Sequence, residues 1–165
     1  MAIVIATKSG VVLRIVFLAL LLGGCVSATQ QITRVEGKKP KEVCIVRHDA
    51  VRVETLQAIQ EGLQKNGIAT RPVSGTYELK QNTWNPKWNA GEIRGCDAIG
   101  FYVANWRWDL ANYMAFANIW MTTPDGSRKL GQATYDAMRV AGTSKFINAR
   151  EKLLELVDQM VAGAM

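Results

Sequence analysis

The feature that most narrows the fold is a long period-two stretch between Asp97 and Tyr135. Ile99, Phe101 and Val103 alternate with Ala98, Gly100, Tyr102, Ala104 and Trp106, which makes a strand from Asp97 to Trp108 that is apolar on both faces. Asp109 to Asn112 turns the chain, and Tyr113 to Thr122 returns as a second long strand. Pro124-Asp125-Gly126 is turn chemistry, with proline fixing φ and glycine accepting positive φ, so a third strand from Arg128 to Tyr135 pairs back. An antiparallel meander must then bury at least one face against something else.

The flanking segments supply that cover. Val43 to Arg47 is a short β-branched run, a buried strand. Asp49 stands where a helix N-cap would, and Val53, Leu56, Ile59 and Leu63 recur at helical spacing until Asn66-Gly67. Ile68 to Val73 is the next strand, and Pro72 places it at an edge or ends it there. Between Ser74 and Arg94 the period is lost among Gly75, Asn82, Asn85, Pro86, Asn89 and Gly91, and the stretch reads as a long loop. From Thr143 to Met160 a helical stripe of Phe146, Leu153, Leu156, Val157 and Met160 follows a cap at Thr143 or Ser144, with Gly163 beyond its end. The expected order is β-α-β-β-β-β-α. Its simplest packing is an α+β two-layer sandwich, a mostly antiparallel sheet with two helices on one face.

With 165 residues there is material for one domain, and a hydrophobic fraction of 48% against 21% charged is that of a folded chain. The N-terminus reads differently. Lys8 and Arg14 precede an apolar run from Ile15 to Leu22, followed by Gly23, Gly24 and Cys25. Basic flank, short apolar core and small residues make a secretory signal peptide, and the run falls short of the ~20 apolar residues that span a bilayer.

Leu22-Gly23-Gly24-Cys25 resembles the lipobox of bacterial lipoproteins. The resemblance implies cleavage before Cys25, a thioether-linked diacylglycerol on it, and acylation of the new amino terminus, enough chains for stable anchoring. Val26, where Gram-negative members retained at the inner membrane carry aspartate, implies the periplasmic face of the outer membrane. The chain is then expected to divide into a signal peptide (1–24), an acylated N-terminus and flexible tether (25–41), and one periplasmic domain (42–163). Removing Lys8 and Arg14 from the 20 basic residues leaves 18 against 14 acidic ones, a mild +4. Lys38, Lys39 and Lys41 beside Pro40 read as a solvated part of the tether, with weak attraction to anionic headgroups as a second reading.

Once Cys25 is set aside, Cys44 and Cys96 form an even pair in an exported chain, most economically a disulfide. Spacing alone leaves two free core thiols as the other reading. With a single histidine and no Cys-x-x-Cys, no metal or other cofactor is expected.

Arg47-His48-Asp49 after the first predicted strand invites comparison with the Arg-His-Gly of histidine phosphatases. The glycine is replaced, however, and His48 has no second histidine to work with. There is no Gly-x-Ser-x-Gly elbow and no phosphate loop. Glu92, Asp97, Asp109 and Asp125 lie at strand ends or in loops, where acids commonly serve turns and solvation. Basic residues form no stripe suited to nucleic acid.

The aromatic residues remain. Tyr102, Trp106 and Trp108 share a face of the third strand, Phe116 and Trp120 a face of the fourth, and Trp84 and Trp88 lie with Asn82, Asn85 and Asn89 in the long loop. The same rings would fill a core or, left exposed, form a binding surface. The strand order, lipobox and the meander's Ala104-Asn105-Trp106-Arg107-Trp108-Asp109 together resemble small Gram-negative bacterial lipoproteins of uncharacterised function, which bring no catalytic residues to carry over. The expected function is that of a membrane-anchored, non-catalytic binding or envelope-assembly module with a protein or glycan partner. The alternatives are a peptidoglycan-binding module and an envelope hydrolase using His48 with Asp49 or Asp97.

Overall fold

Val43, Cys44, Ile45 and Val46 are each no more than 1% exposed. A strand hidden on both faces must lie inside a sheet that is covered on both sides. In the computed structural model, which describes residues 27–140 and 143–164, that is where it lies. The elements are β1 (Thr29–Thr33), β2 (Glu42–Val46), α1 (Val53–Lys65), β3 (Ala69–Val73), β4 (Gly75–Lys80), β5 (Thr83–Trp88), β6 (Ala98–Asp109), β7 (Ala111–Thr122), β8 (Lys129–Asp136), a 3₁₀ turn (Thr143–Lys145) and α2 (Ala149–Val161). The segment read as a signal peptide and the Leu22–Cys25 stretch read as a lipobox lie outside the described residues.

The main sheet runs β1-β8-β7-β6-β2-β3. β2 pairs in parallel with β3 and β6, because α1 carries the chain back between β2 and β3, and the remaining pairs are antiparallel. The protein is thus mixed α and β, with a mostly antiparallel open sheet and two helices. Pro72 stands in β3, an edge strand, where a missing N–H costs no ladder bond to a further strand.

On one face Val43, Ile45, Tyr102, Met114, Ala117, Ile119 and Met121 meet Leu56, Ile59 and Leu63 of α1 and Leu153, Leu156, Val157 and Met160 of α2. The helices lie close together: a Cβ built at Gly62 would sit 2.9 Å from the Cβ of Val157, so glycine is required at that approach. Asn66 Nδ2 also donates to Asp158 Oδ1 at 2.6 Å.

Four local expectations are corrected. Thr29–Thr33, read as tether, is an edge strand paired along β8; its polar TQQIT sequence hides the pairing because an edge strand buries little. Ser74–Arg94, read as a loop, contains the β4–β5 hairpin. Its turn residues Gln81 and Asn82 both have positive φ (48° and 62°), the geometry of a two-residue hairpin turn made without the usual glycine. The order is therefore β-β-α-β-β-β-β-β-β-α rather than β-α-β-β-β-β-α, and the hairpin adds cover on the sheet face opposite the helices. The helix caps also move. α1 follows Arg52, which makes no side-chain cap, while Asp49 stays in the preceding loop. α2 is capped by Asn148, whose Oδ1 accepts from the Glu151 amide, while Thr143 and Ser144 form the 3₁₀ turn.

Cys44 and Cys96 are joined in a disulfide, Cα to Cα 5.8 Å, across 52 residues of chain. It ties buried β2 to the segment that leads into β6. Arg71 reinforces the same corner, donating to the Glu92 and Arg94 carbonyls at 2.6 and 2.9 Å. Closing a loop of this length removes chain entropy worth roughly 4 kcal/mol. The Cys44→Ser/Cys96→Ser variant should therefore lose stability of that order in urea titrations, and a loss below about 1 kcal/mol would show that the bridge does little to restrict the unfolded chain.

Candidate functional site

The β4–β5 hairpin is amphipathic across its short width. Tyr77, Trp84 and Trp88 turn inward onto a second apolar cluster of Cys44, Val46, Ile99, Phe101, Val103 and Trp120. Trp88 lies 5.2 Å from Phe101, centroid to centroid, and Trp120 stacks on the same ring at 5.4 Å. Gly126 of the Pro124-Asp125-Gly126 turn completes this packing, because a Cβ there would stand 2.9 Å from the Trp88 ring.

His48 lies at the joint between hairpin and sheet. Its ring stacks on Tyr77 at 4.1 Å and meets the edge of Trp84 at 5.3 Å. Its amide donates to Tyr102 Oη at 3.1 Å, while Tyr77 Oη donates to the Val46 carbonyl at 2.9 Å. Burial pushes the Tyr77 and Tyr102 phenols up and the imidazole of His48 below its ordinary 6.5, with the charge of Asp49 opposing the latter. His48 thus braces Trp84.

Beyond that joint, the hairpin turn overhangs the sheet and leaves a cleft of about 580 Å³. Trp84, Leu79 and Asn82 line it from the hairpin, and Asn105, Trp106 and Phe116 from the meander; Arg52 and Met138 close it. The Arg52 guanidinium lies 4.3 Å over the Trp106 ring. The rings reach the cleft from different sides of the sheet. A bulge in β7, where the register shifts between Asn105 and Trp106, lets Phe116 and Met114 point to opposite faces although both are even-numbered.

The seven aromatic residues singled out in the sequence therefore do not form one surface, and Phe116 lies at the cleft on the hairpin side of the sheet. Trp84 and Trp106 meet in the cleft. Trp88 is half-buried under the hairpin, Tyr102 and Trp120 are buried, and Trp108 stands alone at the β6–β7 tip. The reading of Tyr102 and Trp120 as surface is corrected: neighbouring elements cover both faces of the sheet where they lie. Arg52, Leu79 and Met138 carried no signal in sequence, since their place in the cleft depends on a hairpin and a bulge that polar composition conceals.

The carboxylates are spent on structure. Asp97 accepts from the Lys41 and Glu42 amides, bonds that hold its pKa low, at the opposite end of β2 from His48. Asp125, held at about 2 by the Thr123 and Ser127 hydroxyls and the Ser127 amide, closes its own turn. Asp109 pairs with Lys145, and Glu92 accepts from the Ser74 amide. Cys44 and Cys96 are bridged, so among the described residues no free thiol stands beside His48.

No protein-family model matches the chain, and no curated protein matches it. Solved structures share the fold of this chain. It is similar to the PelC dodecamer from Paraburkholderia phytofirmans, with a TM-score of 0.53 and 11% identity over 81% of this chain and 94% of that one. A PelC variant dodecamer from the same organism gives the same TM-score and identity over 80% and 95%. At this identity the likeness is one of fold alone. Among the described residues no helix is long and apolar enough to cross a membrane.

Because the folded state holds His48 with a lowered pKa, the unfolded chain binds more protons in the window between the two values. The stability this group contributes is complete above 6.5 and is lost as pH falls through the folded value. The urea midpoint should drop as pH falls below the ordinary imidazole value of 6.5, and His48→Gln should flatten that part of the profile. An unchanged slope in the variant would assign the dependence to other groups.

Proposed function

We propose that this chain is a lipoprotein held by Cys25 on the periplasmic face of the outer membrane, where it acts as a non-catalytic binding or envelope-assembly module. Its contact site is the Trp84–Trp106 cleft. One observation carries the reading: two indole rings and two amides, Asn82 and Asn105, converge on one opening whose only charged lining residue among the described residues is Arg52. Aromatic faces with a few placed polar groups suit recognition, whereas acid–base chemistry needs titratable groups at the reacting atoms.

A glycan, peptidoglycan included, is the second reading. Rings that stack on sugar faces beside amides that bond hydroxyls favour it. The hydrolase reading has less support, since His48 is stacked on Tyr77 and packed against the edge of Trp84, and Asp97 lies at the other end of β2.

Two outcomes are expected. Cys25→Ser should move the protein from the membrane fraction to the soluble periplasmic fraction. The acylated chain should capture a partner from envelope extracts, identified by mass spectrometry, that Trp84→Ala/Trp106→Ala retains at least tenfold less. Equal capture by both forms removes the cleft from the proposal, and a fluorescence shift on adding muropeptides to the wild type selects the glycan reading.

A further inference from the structure

The β6–β7 hairpin ends in an apolar tip. Trp108 is 74% exposed and Leu110 85%, while the remaining large apolar residues of the meander are buried or partly so. Leu110 has a φ of 61°, in the left-handed region that glycine or asparagine enters at least cost, so the turn itself gives no reason for leucine. The tip is also held in place. Asp109 pairs with the buried Lys145 ammonium, which lies 5.3 Å from the Tyr113 ring centroid and 5.4 Å from that of Phe146.

The sheet register relates this tip to the start of the folded domain. Thr29 pairs with Asp136, Asp136 with Phe116, and Phe116 with Asn105, so these residues form one row across the sheet. Beyond it β6 runs on through Trp106, Arg107, Trp108 and Asp109, reaching about 13 Å at the strand rise. β1 is antiparallel to β8 and starts at that row, so the chain enters β1 from the tip's side. Cys25 is four residues earlier and, even fully extended, can lie only about 14 Å from Thr29. A chain anchored there cannot stand off from the bilayer: the interface that holds the lipid lies within reach of the tip.

Resting on the lipid-anchor reading above, we infer that Trp108 and Leu110 insert into the bilayer interface beside the anchor and fix the domain's orientation. Indole rings favour the headgroup level, where one edge is wet and the body is apolar. Leu110 buries against acyl chain, and Arg107 and Arg139, both exposed and the latter beside Ser27 and Thr29, face lipid phosphates. The cleft lined by Trp106 and Met138 then opens close to the membrane surface.

The test uses the full acylated chain in phosphatidylethanolamine/phosphatidylglycerol vesicles containing lipid brominated near the headgroup end of its acyl chains. Tryptophan quenching should be at least twofold greater in the wild type than in Trp108→Ala or Trp108→Ala/Leu110→Ser. Both substitutions fall at exposed positions, and near-ultraviolet circular dichroism checks that the fold is kept. Mass spectrometry of the N-terminal peptide reads the anchor separately. Acylated Cys25 with equal quenching in all forms overturns the docking and leaves the anchor; unacylated Cys25 overturns both. Trp108 shielded from aqueous iodide without bromine quenching would place a second copy or another protein on the tip and overturn lipid docking.

Discussion

Burial of β2 on both faces is the constraint to which the other elements answer. Four consecutive residues, Val43 to Val46, give up all contact with water, and burying each such side chain contributes about 1.5–3 kcal/mol only if both sides are covered. The helices α1 and α2 supply one cover and the β4–β5 hairpin the other. The disulfide from Cys44 leaves the hairpin side of this strand, so the bridge reinforces the layer that has the smaller apolar area.

That second cover creates the cleft. A hairpin two strands wide protects the middle of a six-stranded sheet but not its far end, and at the uncovered end the meander outruns its neighbours. Trp84 from the hairpin and Trp106 from the meander come to the same opening there, with His48 packed behind Trp84. The imidazole's depressed pKa follows from serving as a wall between layers. One residue thus links the stability of the hairpin to the shape of the site.

The β7 bulge shapes the same end. By reversing the alternation between Met114 and Phe116 it seats Met114 in the helix-side core and leaves Phe116 toward the hairpin, at the cleft. Without it, the strand that passes beneath two layers would bury the wrong side chains along half its length.

Period-two patterning was sufficient to identify the meander, because its strands bury enough surface for composition to follow geometry. The β2-α1-β3 unit, the Gly67 stop and the edge position of β3 implied by Pro72 were legible from local pattern, while the Cys44–Cys96 bridge was one of two readings that an even cysteine count allowed. β1 and the β4–β5 hairpin were not: their strands expose one face almost entirely, so their polar residues match those of loops. The cleft was legible only as a list of rings. Which rings meet, which are buried and which stands alone at the tip depended on the bulge, the hairpin and the row of paired strands. These are relations between distant segments, and local periodicity carries no record of them. The sequence by itself therefore determined the elements that bury the most surface and offered the cysteine pair that the structure joins. Only the tertiary structure decided how the half-buried elements pair, because their stability comes from neighbours rather than from their own pattern.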